Sequence, residues 1–229
     1  MKRIFPMILA VLVLSLFFAS AFSQGTTKTI ALDSLKDQKP VNVKVETGEH
    51  KGRKALRVTD NAQATAGDGD RLLILTATDF SDGIIELELS GQVMPNAGEG
   101  ARGFVGVAFR VAADAAKFEC FYLRPTNGRA EDQVRRNHSV QYISHPDFPW
   151  HKLRKEFPEK YESYVDLVPG EWTKVKIEVV GTKARLYVHG ASQPALIVND
   201  LKLGESSGAI GLWVGPGTVA HFSNLRVSK

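Results

Sequence analysis

A period of two constrains this chain more than any other feature. The segment "IIELELS" (84–90) puts Ile85, Leu87 and Leu89 on one face and Glu86, Glu88 and Ser90 on the other. "FVGVAFRV" (104–111) repeats the pattern through Val105, Val107, Phe109 and Val111, and similar runs occupy 118–124, 173–180, 184–190, 208–215 and 220–227. Successive strand side chains point to opposite faces, so such runs, bounded by Gly, Pro, Asn and Asp, are half-buried antiparallel strands. From residue 41 on, about ten runs can be counted, and no amphipathic segment exceeds about two helical turns. "VPGEW" (168–172) and "VGTK" (180–183) supply turns, and "MPNAGEGARG" (94–103) reads as a glycine-rich connector. The pattern predicts an all-β chain, either a two-sheet sandwich or a closed barrel.

The N-terminus has a separate logic. Lys2 and Arg3 precede an apolar run from Ile4 to Phe18 and the small-residue segment Ala19–Ser23. That order predicts a secretory signal peptide over 1–23, cleaved after Ser23 or, alternatively, after Ala21, with no retained membrane anchor. A secreted or periplasmic location follows. Residues 24–40 are expected to form an irregular lead that joins an edge strand, and 41–229 the folded domain. Removing Lys2 and Arg3 takes the formal charge from +4 to +2, too mild a surplus to predict nucleic-acid binding. The one cysteine, Cys120, excludes an internal disulfide and sits in an alternating run, as a small buried apolar residue would.

The C-terminal third, "PGEWTKVKIEVVGTKARLYVHG", "ALIVNDL" and "GAIGLWVGPGTVAHFSNLRV", resembles the laminin-G-like jelly roll of the concanavalin A-like lectin and glucanase superfamily. It is most similar to the secreted 3-keto-disaccharide hydrolase domains, over roughly residues 70–229. The resemblance implies a two-sheet antiparallel jelly-roll sandwich in which one sheet forms a groove for sugars. It also implies an activity, the cleavage of glycosides whose 3-hydroxyl has become a ketone, by base-assisted elimination. The alternative function is a non-catalytic glycan-binding or adhesion module.

One stretch departs from the alternation. "RRNHSVQYISHPDFPWHKLRKE" (135–156) lies in an expected long insertion at about 124–166 and concentrates planar hydrogen-bonding and aromatic groups. Such groups suit sugars, whose ring faces stack on aromatics while their hydroxyls bond to Arg and Asn. Arg124, Asn127, Asn137, Gln141 and Trp150 are the substrate-binding candidates. Tyr187 and His189 join them if the strand "ARLYVHG" belongs to the groove sheet; otherwise they face solvent. For the implied elimination, His138 is the candidate base, Arg135 or Arg136 the enolate stabiliser and Tyr142 the acid. The competing reading is a loop braced by its own arginine–carboxylate pairs, with no ligand.

Other chemistry is poorly supplied. Glu86 and Glu88 share a strand face, but lack the intervening Asp and the aromatic neighbours of a retaining glucanase. His138, His145 and His151 match no zinc spacing. Asp68 and Asp70 in "GDGD" offer at most a weak Ca²⁺ loop, so no cofactor is expected and the expected partner is a carbohydrate.

Overall fold

The alternating runs become strands in a computed structural model that describes residues 26–61 and 71–229. The predicted signal peptide and the segment carrying Asp68 and Asp70 lie outside the described residues. In chain order the strands are β1 (Thr27–Thr29), β2 (Gln38–Val41), β3 (Val43–His50), β4 (Arg53–Asp60), β5 (Leu72–Phe80), β6 (Gly83–Val93), β7 (Val105–Val111) and β8 (Phe118–Leu123). A short helix α1 (Gln133–Asn137) precedes β9 (Val140–His145), and α2 (Trp150–Glu156) precedes β10 (Glu162–Ser163). Then follow β11 (Thr173–Val180), β12 (Lys183–Val188), β13 (Leu196–Val198), β14 (Gly208–Val214) and β15 (Thr218–Ser228).

These strands form two antiparallel sheets. The first runs β13-β12-β11-β6-β15-β4-β3, with β1 added on β15; the second runs β10-β9-β8-β7-β14-β5-β2. The architecture is the two-sheet sandwich, not the barrel. Ile85, Leu87 and Leu89 from the first sheet meet Val107, Phe109, Phe121 and Leu212 from the second, all with 3% exposure or less. Each such side chain contributes about 1.5–3 kcal/mol by leaving water, so this layer holds the fold without a disulfide. Cys120 is fully buried, and burial pushes its thiol well above the usual range.

Two boundaries differ from expectation. The lead at 24–40 is not wholly irregular: β1 pairs with the end of β15, and β2 forms an edge of the second sheet, where Pro40 costs no ladder bond. The stretch 124–166 is not an excursion from the sandwich either, because β9 pairs with β8 over six residues and β10 extends the sheet. Polar and apolar residues do not alternate there because both faces of β9 are covered: Val140 through Ser144 are all buried.

At one end of the sandwich a single guanidinium joins both sheets. Arg110 sits at a register shift between β7 and β14 with φ of 54°. Its side chain, 1% exposed, donates to Ser81 O (3.0 Å), Gly204 O (2.7 Å), Gly181 O (2.8 Å) and Asp82 Oδ1 (3.0 Å). The β5–β6 turn, the β11–β12 turn and the loop before β14 are thereby tied to one point.

The outer face of the first sheet is a lattice of mutually paired charges. Glu46 meets Arg57, Glu88 meets Arg53 and Asn224, and Glu178 takes Lys176 (2.7 Å) and Tyr187 (2.8 Å). His221 stacks on His50 at 3.9 Å, in a patch closed by Ser90, Trp172 and Arg57. Burial first, then His50 and Arg57, lower its pKa from 6.5 to about 4. The unfolded chain therefore takes up this proton before the native one does, so stability should fall as pH drops from 6.5 towards about 4 and level off below. Urea unfolding across that range checks this: His221→Gln should flatten the decline relative to the unmodified protein, and parallel curves would contradict it.

Candidate functional site

The second sheet presents a different outer face. One cross-strand row runs Leu72, Trp213, Gly106, Tyr122, Gln141 and Glu162 across β5, β14, β7, β8, β9 and β10. Opposed residues share a face, so all six lie on the side away from the core. Gly106 is needed between the two large rings: a Cβ there would lie 2.5 Å from that of Tyr122, a real clash. With no side chain between them, Trp213 and Tyr122 approach to 4.7 Å between ring centroids.

Above this row lies a cavity of about 460 Å³. Its floor and walls include Tyr122, Ile143 and Trp213, with Phe104 from the connector before β7 and Trp150 from the start of α2. Its cations are Arg102, Arg124, Arg135, Arg154 and, when protonated, His138; no acid lines it among the described residues. A hollow of about 710 Å³ on the first sheet is lined by Glu86, Glu88, Lys174, Lys176 and Tyr187, with Lys176 already lying over the Tyr187 ring at 3.9 Å. Glu88, Lys176 and Glu86 are already paired there and the hollow offers a single aromatic ring, so the cavity with four aromatic rings is the better ligand site.

Glu162 organises the wall. Its side chain is 4% exposed and receives a forked pair of bonds from Arg154 (Nε 2.9 Å, Nη2 2.6 Å), with His138 Nδ1 at 2.8 Å and Arg124 at 4.0 Å. Arg124 is 5% exposed and crosses the Tyr122 ring at 4.9 Å, donating to the Tyr122 hydroxyl at 2.7 Å and to Gln141 Oε1 at 3.2 Å. Arg124 and Asn127 both donate to His138 O, at 3.0 and 3.1 Å, which fixes the end of α1. Asp132 caps the start of that helix through the Val134 and Arg135 amides. Burial lowers the His138 pKa, with Glu162 opposing and Arg154 and Arg124 adding to the shift. The imidazole thus gives up its proton more readily than a free one, with Nδ1 2.8 Å from the Glu162 carboxylate.

Of the predicted residues, Arg124, Asn127, Arg135, His138 and Trp150 meet at this cavity, and Gln141 braces Arg124 from beneath. Others go elsewhere. Tyr142 points into the core and donates to the buried carboxyl of Glu119 at 2.6 Å; burial and Glu119 push its phenol well above the ordinary range, so it cannot serve the cavity as an acid. Arg136 turns outward to stack on Tyr164, and Asn137 bonds to Gln133 on the exposed side of α1. Tyr187 belongs to the first sheet, where it binds Glu178, and His189 stands in the turn after β12, where it contacts Asp166 O at 2.7 Å. Hence the proposed set of His138, Arg135 or Arg136, and Tyr142 does not assemble. The residues that sequence reasoning missed are Arg102, Phe104, Tyr122, Arg154, Trp213 and Glu162. Tyr122 and Trp213 were marked by a signal: in "ECFY" and "GLWVG" an aromatic alternates with a small residue on the non-core face.

No family model matches this sequence, and no curated protein matches it. Solved structures do. A galectin-like protein of unknown function from Bacillus subtilis is 13% identical with a TM-score of 0.55, covering 89% of this chain and 98% of its own. A Crh5 transglycosylase in complex with NAG is 12% identical with a TM-score of 0.52, covering 90% and 85%. A native glycosidic hydrolase is 12% identical with a TM-score of 0.50, covering 89% and 95%. The fold is a concanavalin A-like, galectin-like jelly roll. In this jelly roll the cavity occupies the outer face of the β10–β2 sheet, and its polar wall turns on Glu162.

Replacing Glu162 by Gln should therefore leave the Arg154 and Arg124 guanidiniums without their buried counter-charge, at a cost of about 3 kcal/mol. It also removes the attraction that opposes desolvation at His138, so the imidazole pKa should fall further. Denaturant unfolding and histidine NMR titration check both, and an unchanged or raised His138 pKa would contradict this account of the wall.

Proposed function

We propose that this chain is a secreted carbohydrate-binding jelly roll whose sugar site is the cavity over Trp213, Gly106 and Tyr122. The observation that carries the reading is the aromatic arrangement itself: Trp150 at the entrance and Tyr122 and Trp213 on the floor, with guanidinium and amide donors beside them. Aromatic faces take up the apolar faces of a pyranose, and fixed donors orient its hydroxyls. Arg154 over Trp150 at 4.8 Å holds that ring in place, so little side-chain freedom is lost on binding. The fold is shared with proteins described as a transglycosylase in complex with NAG and as a glycosidic hydrolase, which is consistent with a sugar ligand.

The His138–Glu162 pair favours a second reading, elimination on 3-keto-glycosides. With Nδ1 2.8 Å from Glu162, Nε2 is the ring nitrogen left to take the sugar C2 proton. The C–H electron pair would pass into an enolate stabilised by Arg135. Return of that pair to form the C1–C2 double bond would expel the glycosidic oxygen, protonated by Tyr122, the tyrosine that lines the cavity in place of Tyr142.

Trp150→Ala and Tyr122→Ala should each weaken oligosaccharide binding at least about tenfold, while Tyr187→Ala on the other sheet leaves it unchanged. A glycan array followed by calorimetry checks this, and full affinity in Trp150→Ala would sink the site. Turnover of 3-keto-disaccharides that is lost in His138→Gln, with binding retained, would establish the catalytic reading. No turnover by the unmodified protein would leave the binding module alone.

A further inference from the structure

The cavity wall holds more positive charge than its own carboxylate can balance. Glu162 is committed to Arg154 and His138, with Arg124 at 4.0 Å. Arg102 and Arg135 are different. Among the described residues neither has a carboxylate partner. Arg102 donates only to backbone carbonyls of its own loop, Ala101 at 2.8 Å and Glu99. Arg135 reaches Asn127 Oδ1 only at 3.5 Å, and its Nε is enclosed without any hydrogen-bond partner. Burial lowers the Arg102 pKa, and repulsion from Arg135 and Arg124 adds to the shift. On the floor, Trp213 is 2% exposed and its Nε1 is likewise unpartnered. A partly desolvated cation pair without a counter-ion is costly, as is an enclosed N–H donor left unmet.

We propose that the sugar bound here is acidic, carrying a carboxylate or sulfate that Arg102 and Arg135 receive together. The inference rests on the cavity being a sugar site. A planar carboxylate matches the guanidinium fork with two parallel charge-assisted hydrogen bonds, and a sulfate offers the same oxygen spacing. The four aromatic rings that line the cavity, Phe104, Tyr122, Trp150 and Trp213, suit a sugar ring and not a bare anion. An acidic pyranose meets both at once, with its ring on the aromatics and its charge on the wall.

The test is calorimetric binding of uronate tetrasaccharides, sulfated tetrasaccharides and the carboxyl-reduced, neutral counterparts of the first set, with inorganic sulfate as a competitor. The expected result is that at least one acidic series binds at least about tenfold more tightly than its neutral counterpart, and that the preference shrinks as salt rises. Whichever acidic series wins distinguishes carboxylate from sulfate. Arg102→Gln and Arg135→Gln should each erase about 10- to 100-fold of the acidic affinity, a larger loss than either causes for the neutral counterpart. Thermal unfolding confirms that each variant is folded, with Arg102→Lys as the milder replacement, keeping charge but losing the fork. Equal binding of acidic and neutral sugars overturns this inference while leaving the sugar site standing. Binding of inorganic sulfate with no sugar of any kind overturns both.

Discussion

The wall of the cavity depends on one buried carboxylate. Glu162 faces Arg154, Arg124 and His138, and among the described residues no other acid neutralises that cluster. Three consequences share this cause. Arg154 is held across Trp150, Arg124 is held across Tyr122, and His138 is held with Nδ1 2.8 Å from the carboxylate. Two short helices and a two-residue strand would otherwise have little to fix them, since helices of five and seven residues are not stable by propensity alone. The carboxylate does for this lobe what Arg110 does at the turns, where one guanidinium ties loops from both sheets.

The two outer faces of the sandwich follow opposite rules. On the first sheet, acids and bases alternate across neighbouring strands and satisfy one another, which suits a face covered by water. On the second, small residues alternate with aromatics, and the segment between β8 and β11 folds back as a roof. Gly106 is the pivot of that difference: it lets Trp213 and Tyr122 close over the sheet, creating an aromatic floor instead of a third layer of side chains. The same row ends at Gln141 and Glu162, so floor and charged wall are set by a single strand register.

The fold was legible because inward-facing positions such as Ile85, Leu87 and Leu89 alternate with residues that water accepts. The site was legible in part. Arg124, Asn127, Arg135, His138 and Trp150 crowd into an odd segment, and composition alone pointed there. Tyr142 shows where that reasoning stopped: in β9 the residues on both faces are buried, so polarity does not say which way a side chain points, and Tyr142 faces Glu119 in the core. Arg136 and Arg135 are neighbours on one turn of helix, and only the packing of α1 sends one to the cavity and the other to Tyr164. Glu162, Trp213 and Arg102 come from distant parts of the chain and meet through sheet pairing, which no local pattern reports. The sheet of Tyr187 stays open at the level of sequence because both sheets carry the same period.

The central claim is that ligand binds the aromatic floor of the second sheet and not the charged face of the first, and the protein's three tryptophans can decide it. Trp150 and Trp213 line the cavity, whereas Trp172 packs against His50 on the opposite sheet and donates its indole N–H to His50 O. Indole N–H resonances recorded during titration with an oligosaccharide that binds should move for Trp150 and Trp213 and stay fixed for Trp172. Movement of Trp172 with Trp150 and Trp213 unchanged would contradict the account.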